Sequence, residues 1–244
     1  MKTTKVLQTN VSQTSINEVS NILNKTAGNR IAICNANTLV RSARNSDIAD
    51  LINNFTIRTP DGFPVAKALS ILTKKNFPRV DGYKVFLQTI EDGLDRNRSH
   101  YFFGSDELTT ELMIKNLKKD YPKIQISGYI CPEFMESDQL VEKFADEIQN
   151  IDADIVWVSL GFPKQEMFID QVNLTMDINS NFVGIGGVFE WVAETKKKAP
   201  EWVANMGFEW LSRLVQDPKR LYKRYLIDNP LFVVYFLRQV LFRR

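Results

Sequence analysis

Short apolar runs alternate along this chain with stretches whose apolar positions recur every three or four residues. Arg30-Ile-Ala-Ile-Cys34 reads as a buried strand, the polar turn Asn35-Ala-Asn37 follows, and a helical run carries Leu39, Ala43, Ile48, Leu51 and Ile52. Ser99-His-Tyr-Phe-Phe103 is a second strand ending at Gly104, followed by a helix through Leu108, Leu112 and Leu117 that Pro122 closes. Ile124–Ser127, Ile155–Leu160 and Phe182–Ile185 read as further strands, with a helix from Gln139 to Gln149. Strands that alternate with helical stretches predict an α/β fold. It is a Rossmann-like, mainly parallel sheet with helices on both faces, and its ligands should lie beyond the carboxyl ends of the strands. Residues 1–29 read as a polar preamble with one short strand or helix and no apolar leader core.

The pattern changes near the end of the chain. Leu231–Leu237 and Val240–Phe242 are apolar but interrupted by Arg238 and Gln239, too short to cross a bilayer as a helix. Charge changes there too. Residues 196–244 hold 11 Lys and Arg against 4 Asp and Glu, a net +7, which leaves −5 on residues 1–195 beneath a total of only +2. This division predicts a Rossmann-like catalytic domain over 1–195 and a basic, helical, membrane-associating appendage over 196–244, lying in a membrane interface. Alternatively, the terminus folds back onto the body or packs in a homo-oligomer. A nucleic-acid-binding protein would also explain the charge, with Trp202, Trp210 and Tyr222 as stacking residues, and a non-catalytic membrane-surface binder would explain the tail alone.

Two distant cysteines, Cys34 and Cys131, follow no metal-ligand spacing and read as reduced thiols. With His100 the single histidine, Ser-His, Cys-His and His-based metal chemistry lose their basis, and acid–base work falls to carboxylates. Asp61, set in Thr59-Pro-Asp-Gly-Phe-Pro64, is the foremost candidate, because flanking prolines and Gly62 can aim its side chain; a plain surface turn is the alternative. Asp152-Ala-Asp154 imitates a metal motif, but it precedes a strand at the end opposite the expected cleft and reads as a turn. Leu160-Gly-Phe-Pro-Lys-Gln-Glu166 follows a strand and opens a helix, so its amides could receive an anion while Gln165 and Glu166 face the cleft. Gly104 and Gly184-Ile-Gly-Gly187 close two other strands. Dinucleotide and P-loop glycine patterns do not occur.

Asn35-x-Asn37, Pro60-Asp-Gly62, Arg79-Val-Asp-Gly82, Gly161-Phe-Pro-Lys-Gln-Glu166, Gly184-Ile-Gly-Gly187, Ala199-Pro-Glu-Trp202 and Glu209-Trp-Leu-Ser-Arg-Leu, running on to Arg224, stand in the order found in the WecG/TagA/CpsF glycosyltransferases. The chain resembles that family from about residue 30 to 230. The resemblance implies an inverting transfer of a sugar from a UDP-sugar to a polyprenyl-diphosphate-linked acceptor, in the synthesis of teichoic acid or other cell-surface polysaccharides. It places the enzyme peripherally on the cytoplasmic face of the membrane, with no nucleic-acid partner and no metal or other cofactor required. N-acetylmannosamine, its uronic acid, glucose and galactose are all donors among relatives.

Under this resemblance Asp61 stands at the position of the catalytic base, with Asn37 and Asn35 beside it; Asn35 occupies a place where threonine is usual. Gln165, Glu166, Gly104, Gly161 and Gly186 are expected at the donor. Arg213, Arg220 and Arg224 are expected on its diphosphate, where guanidinium forks fit phosphates bidentately. Glu190 replaces a common Asp, and Glu194-Thr195 a common Gly, both flanking the donor region.

Overall fold

Six apolar segments pair as a single all-parallel sheet in the order β4-β3-β8-β7-β5-β6. The strands are β3 (Arg30–Cys34), β4 (Ile57–Pro60), β5 (Ser99–Gly104), β6 (Gln125–Ile130), β7 (Ile155–Ser159) and β8 (Asn181–Gly184). The structure, a computed structural model, describes residues 1–200, 203 and 209–242, leaving aside the side chains of Glu209 and Arg220. Strand residues alternate between two cores, because successive side chains point to opposite faces. Val156, Val158, Phe103 and Phe182 join one cluster, while Ile155, Trp157, Phe102 and Val183 join the other. Burial on both faces explains why β5, β7 and β8 read as apolar runs rather than alternating ones, whereas the edge strand β6 is exposed at every second residue.

Helices cover both faces as expected. α1 (Ile16–Lys25), α5 (Gly82–Gly93), α6 (Glu107–Asp120) and α10 (Val188–Val192) supply the second cluster. The first is supplied by α2 (Ala36–Arg44), α3 (Ser46–Asn53), α4 (Phe63–Thr73), α7 (Ser137–Lys143), α8 (Ala145–Gln149) and α9 (Lys164–Thr175). The run through Leu39 and Ile52 is two helices, not one. Asn45 ends α2 and caps α3, its side chain accepting from the amides of Asp47 and Ile48 at 2.8 and 3.2 Å. Likewise Phe144 divides the expected helix at 139–149.

The preamble is more ordered than its polarity suggested. β1 (Thr3–Val6) and β2 (Thr9–Ser12) form an antiparallel hairpin that lies against β4. Arg58 of β4 fastens it: its amide donates to Ser12 Oγ at 3.1 Å, and its buried guanidinium donates to the carbonyls of Asn10, Asn53 and Phe55. The hairpin thereby covers one sheet edge.

The chain's far end returns to the body. α11 (Glu209–Gln216), α12 (Pro218–Tyr222), a π-helical turn (Lys223–Asp228) and α13 (Asn229–Leu241) follow one another. Phe232 and Phe236, one turn apart, are buried in the first cluster, and Gln239 clasps the hairpin, accepting from Leu7 N at 2.8 Å and donating to Lys5 O at 2.9 Å. Folding back and exposure coexist in α13, since Val233, Val234, Leu237, Val240 and Leu241 stay exposed. Among the described residues no helix is long and apolar enough to cross a membrane.

Candidate functional site

The carboxyl ends of β3, β4, β7 and β8 open onto one cleft, roofed by α11, α12 and the π-helical turn, and the cleft has two chambers. One, of about 490 Å³, is lined by Gly161, Gln165, Glu166, Gly184–Val188, Glu190 and Lys196 from the sheet side and by Gln216, Asp217 and Asp228 from the roof. The other, of about 480 Å³ and mostly apolar, is lined by Phe63, Pro64, Arg79, Trp210, Leu226, Pro230 and Val233. Asn35, Asp61, Arg213, Arg224 and Tyr225 line both. Each volume suits a small-molecule ligand.

Asp61 owes its place to the end of β4. Its amide donates to Cys34 O at 2.9 Å and to Thr59 O at 3.0 Å, tying it to the neighbouring strand. Gly62 then takes φ 78°, a conformation costly for other residues, and Pro64 stands in the first turn of α4. The turn thus aims a carboxylate at the junction of the chambers. Asn35 has a local duty as well, because its Oδ1 caps α2, accepting from Asn37 N at 3.1 Å and Thr38 N at 3.3 Å. Asn37 reaches the roof: its Nδ2 donates to Asp228 Oδ2 at 2.5 Å, joining α2 to the π-helical turn.

Gln165 and Glu166 are buried in the wall of the polar chamber. Gln165 braces the β8 loop, its Oε1 accepting from Gly186 N at 3.0 Å and its Nε2 donating to Glu166 Oε1 at 2.9 Å. Gly184 makes room for it, since a Cβ there would lie 2.8 Å from that Nε2. Among the described residues Glu166 Oε2 has no hydrogen-bond partner. Burial pushes the Glu166 carboxyl up to about 7, against the opposing pull of the Gln165 bond and the charges of Arg41 and Arg224. Gly161 and Gly186 both have positive φ and line the same chamber.

Gly104 does not belong with them. It lines neither chamber, and its expected role at the donor gives way to a packing one: with φ 112°, a Cβ there would stand 2.4 Å from Ser159 O. β5 and β7 therefore need glycine to close together at their ends. Arg213 and Arg224 face the cleft from the roof, the Arg213 guanidinium lying 4.1 Å above the Trp191 ring. The Arg220 side chain and Trp202 lie outside the described residues. Asp154 keeps the structural duty expected of it, binding Ser99 N at 2.8 Å and Arg98 Nη1 at 2.5 Å at the opposite end of the sheet. His100 is buried, accepts from Trp157 Nε1 at 3.1 Å and is pushed down to about 4 by burial, so it is a neutral core residue.

Lys196, Arg41 and Asp228 also line the cleft, though the sequence had not singled them out as site residues. Lys196 pairs with Glu190 at 2.6 Å, and both line the polar chamber. Arg41 was discoverable, standing four residues after Asn37 and hence on the same face of α2. Asp228 was not, because only the tertiary fold brings the π-helical turn to α2. Among the described residues no cluster of His, Cys, Asp and Glu is placed to hold a metal ion.

Comparison with known proteins gives the family. Residues 4–244 match the profile of the family described as "Glycosyl transferase WecG/TagA/CpsF family". The chain is similar to the N-acetylglucosaminyldiphosphoundecaprenol N-acetyl-beta-D-mannosaminyltransferase of Bacillus subtilis (strain 168), at 26% identity over 209 residues covering 86% of this chain and 79% of the relative. Its namesake in Bacillus spizizenii is 29% identical over 182 residues, 73% of this chain and 67% of the relative. The protein of that name in Staphylococcus aureus (strain MW2) is 27% identical over 175 residues, 70% and 66% of the two chains.

Proposed function

Because the chain belongs to the WecG/TagA/CpsF family of glycosyl transferases, we propose that it moves a sugar from a UDP-sugar to the sugar of a polyprenyl-diphosphate-linked acceptor, with inversion, using Asp61 as base. The relatives named above make N-acetylmannosamine the first donor to try and an N-acetylglucosaminyl diphosphate lipid the first acceptor. The observation that carries the reading is the position of Asp61 on the partition between two ligand-sized chambers.

In this reading an acceptor hydroxyl gives its proton to the Asp61 carboxylate as its oxygen attacks the anomeric carbon. The bond from that carbon to the diphosphate breaks, and UDP departs with the electron pair from the opposite face. The charge that grows on the leaving diphosphate is offset by Arg213 and Arg224, fixed groups that need no reorganisation during the step. Arg213 is held over the Trp191 ring, which restricts where its fork can point. Lys196, already ion-paired to Glu190, adds a further cation to the same chamber. These cations take the part that a divalent metal plays in other sugar transferases. The reaction takes place at the cytoplasmic membrane face, where the exposed apolar residues and net positive charge of the C-terminal segment hold the enzyme.

Product analysis by mass spectrometry tests this, with wild type and D61N incubated with a panel of UDP-sugars and a synthetic prenyl-diphosphate N-acetylglucosamine. Wild type should add one sugar, and D61N should lose about 10²- to 10⁴-fold in rate, the range of a positioned general base. UDP should still bind D61N. Equal rates from the two proteins would return Asp61 to the role of a turn residue.

A further inference from the structure

The two chambers differ in chemistry. The polar one has the glycine-closed strand ends and the Glu190–Lys196 pair. The other has a mostly apolar lining built from α4, α11, the π-helical turn and α13, and Arg79 lines it alone. Arg79 is seated by Asp81, which accepts from its Nη2 at 3.0 Å while capping α5 through the Lys84 amide at 3.0 Å. Asp81 thus ties the guanidinium to the body of the fold.

Apolar surface continues outward from this chamber. Phe63 and Val233 line it and are 56% and 49% exposed. Beyond Val233, at helical spacing along α13, come Leu237 and Leu241, 53% and 76% exposed. They form a strip about 12 Å long at 1.5 Å per residue. The buried strip of Phe232 and Phe236 is separate and faces the core.

We infer that the apolar chamber is the acceptor's entry groove: it takes a prenyl diphosphate, with the diphosphate against Arg79 and the shared Arg213 and Arg224, and the first isoprene units against Phe63, Leu226 and Val233. This deepens the proposed function and rests on it for the identity of the acceptor. Charge and shape select this occupant. Cations stand at the inner end beside Asp61, apolar residues lead outward from them, and the strip on α13 carries the remaining chain toward a lipid surface. A free sugar would leave Phe63, Leu226 and Val233 unused, and a nucleotide would leave the outward strip of Leu237 and Leu241 uncovered. The sugar of the acceptor then lies between the diphosphate and Asp61, on the side facing the donor, so donor and acceptor approach the base from opposite chambers.

Farnesyl diphosphate is a water-soluble probe of the groove that needs no catalysis. Titrated calorimetrically into the full-length protein saturated with UDP, it should bind at least tenfold more tightly than inorganic diphosphate. F63S and V233S should each weaken farnesyl diphosphate at least fivefold and leave the UDP affinity within twofold, which also verifies folding. L226S supplies a third position should one variant lose UDP as well. Displacement of UDP by farnesyl diphosphate, or an affinity indifferent to all three substitutions, would overturn the assignment. Absence of sugar transfer by wild type, with farnesyl diphosphate binding intact, would overturn the proposed reaction and leave the groove.

Discussion

Glu166 is the residue whose environment departs furthest from what its type prefers. A carboxyl only 2% exposed, with one oxygen unpartnered among the described residues, keeps its proton to about half at neutral pH, its value raised from the ordinary 4.5 to about 7 by burial. Below pH 4.5 folded and unfolded chains both keep the proton. Between 4.5 and about 7 only the folded chain does, so stability falls as pH rises through this window and the loss is complete above it. The shift corresponds to a loss of about 3 kcal/mol. Urea unfolding at pH 4 and pH 8 should show wild type losing that much more than E166Q, which keeps the shape and the bond to Gln165; superimposable pH profiles would refute it. At this scale the sequence was informative about which residues face the cleft and less so about what each does. The Lys-Gln-Glu run placed Gln165 and Glu166 in the cleft wall, but the brace from Gln165 to Gly186 joins two loops distant in sequence and leaves no local trace. Gly104 failed for a related reason: a glycine after a strand looks the same whether its neighbour is to be a phosphate or the backbone of Ser159.

Elements position the site through their caps. Asn35 follows β3, caps α2 and lines both chambers, so the start of one helix sets the floor of the cleft. N35A should cost about 1 kcal/mol of stability, whereas N35D, still an acceptor and favoured by the helix dipole, should match wild type within about 0.5 kcal/mol. Thermal unfolding of the three proteins decides it, and an undiminished N35A would mean that α2 is held by packing alone. The strands most legible in the sequence were those buried on both faces, since apolar runs such as Ile155–Ser159 leave little ambiguity. β4 escaped notice because it has only four residues, one of them the charged Arg58, whose guanidinium is satisfied by carbonyls of other segments. The hairpin escaped for its polarity: Thr9 and Ser12 are buried there, and no alternation announces it. Asn45 could have revealed the break between α2 and α3, since an asparagine followed by Ser46-Asp47 is a ready helix start.

Over the whole molecule, charge and apolar exposure are separated from the sheet and gathered in the last fifty or so residues, with a net +7 on residues 196–244 against −5 on the remainder. That separation was legible in the sequence because it is compositional. What was not legible is that α13 serves two surfaces at once, with Phe232 and Phe236 in the core and Leu237, Val240 and Leu241 outside. A periodic apolar pattern cannot tell a helix face that meets the body from one that meets something else. Gln239 ties this helix to the N-terminal hairpin, so the outward face has a fixed orientation relative to the cleft. If that face rests in a lipid interface, affinity has an apolar and an electrostatic part. Burying two leucines contributes about 2 kcal/mol each, so L237D/L241D should lower partitioning onto vesicles containing anionic phosphatidylglycerol by about 10²-fold or more. Raising the salt from 0.1 M to about 1 M shortens the screening length from about 10 to 3 Å and should weaken wild-type binding without abolishing it, because the apolar part is insensitive to screening. Cosedimentation with vesicles reads both effects. Wild type that stays in the supernatant at low salt, or a double variant that sediments as well as wild type, would mean that α13 turns its outer face to a protein surface and that the basic segment attaches the enzyme by other means.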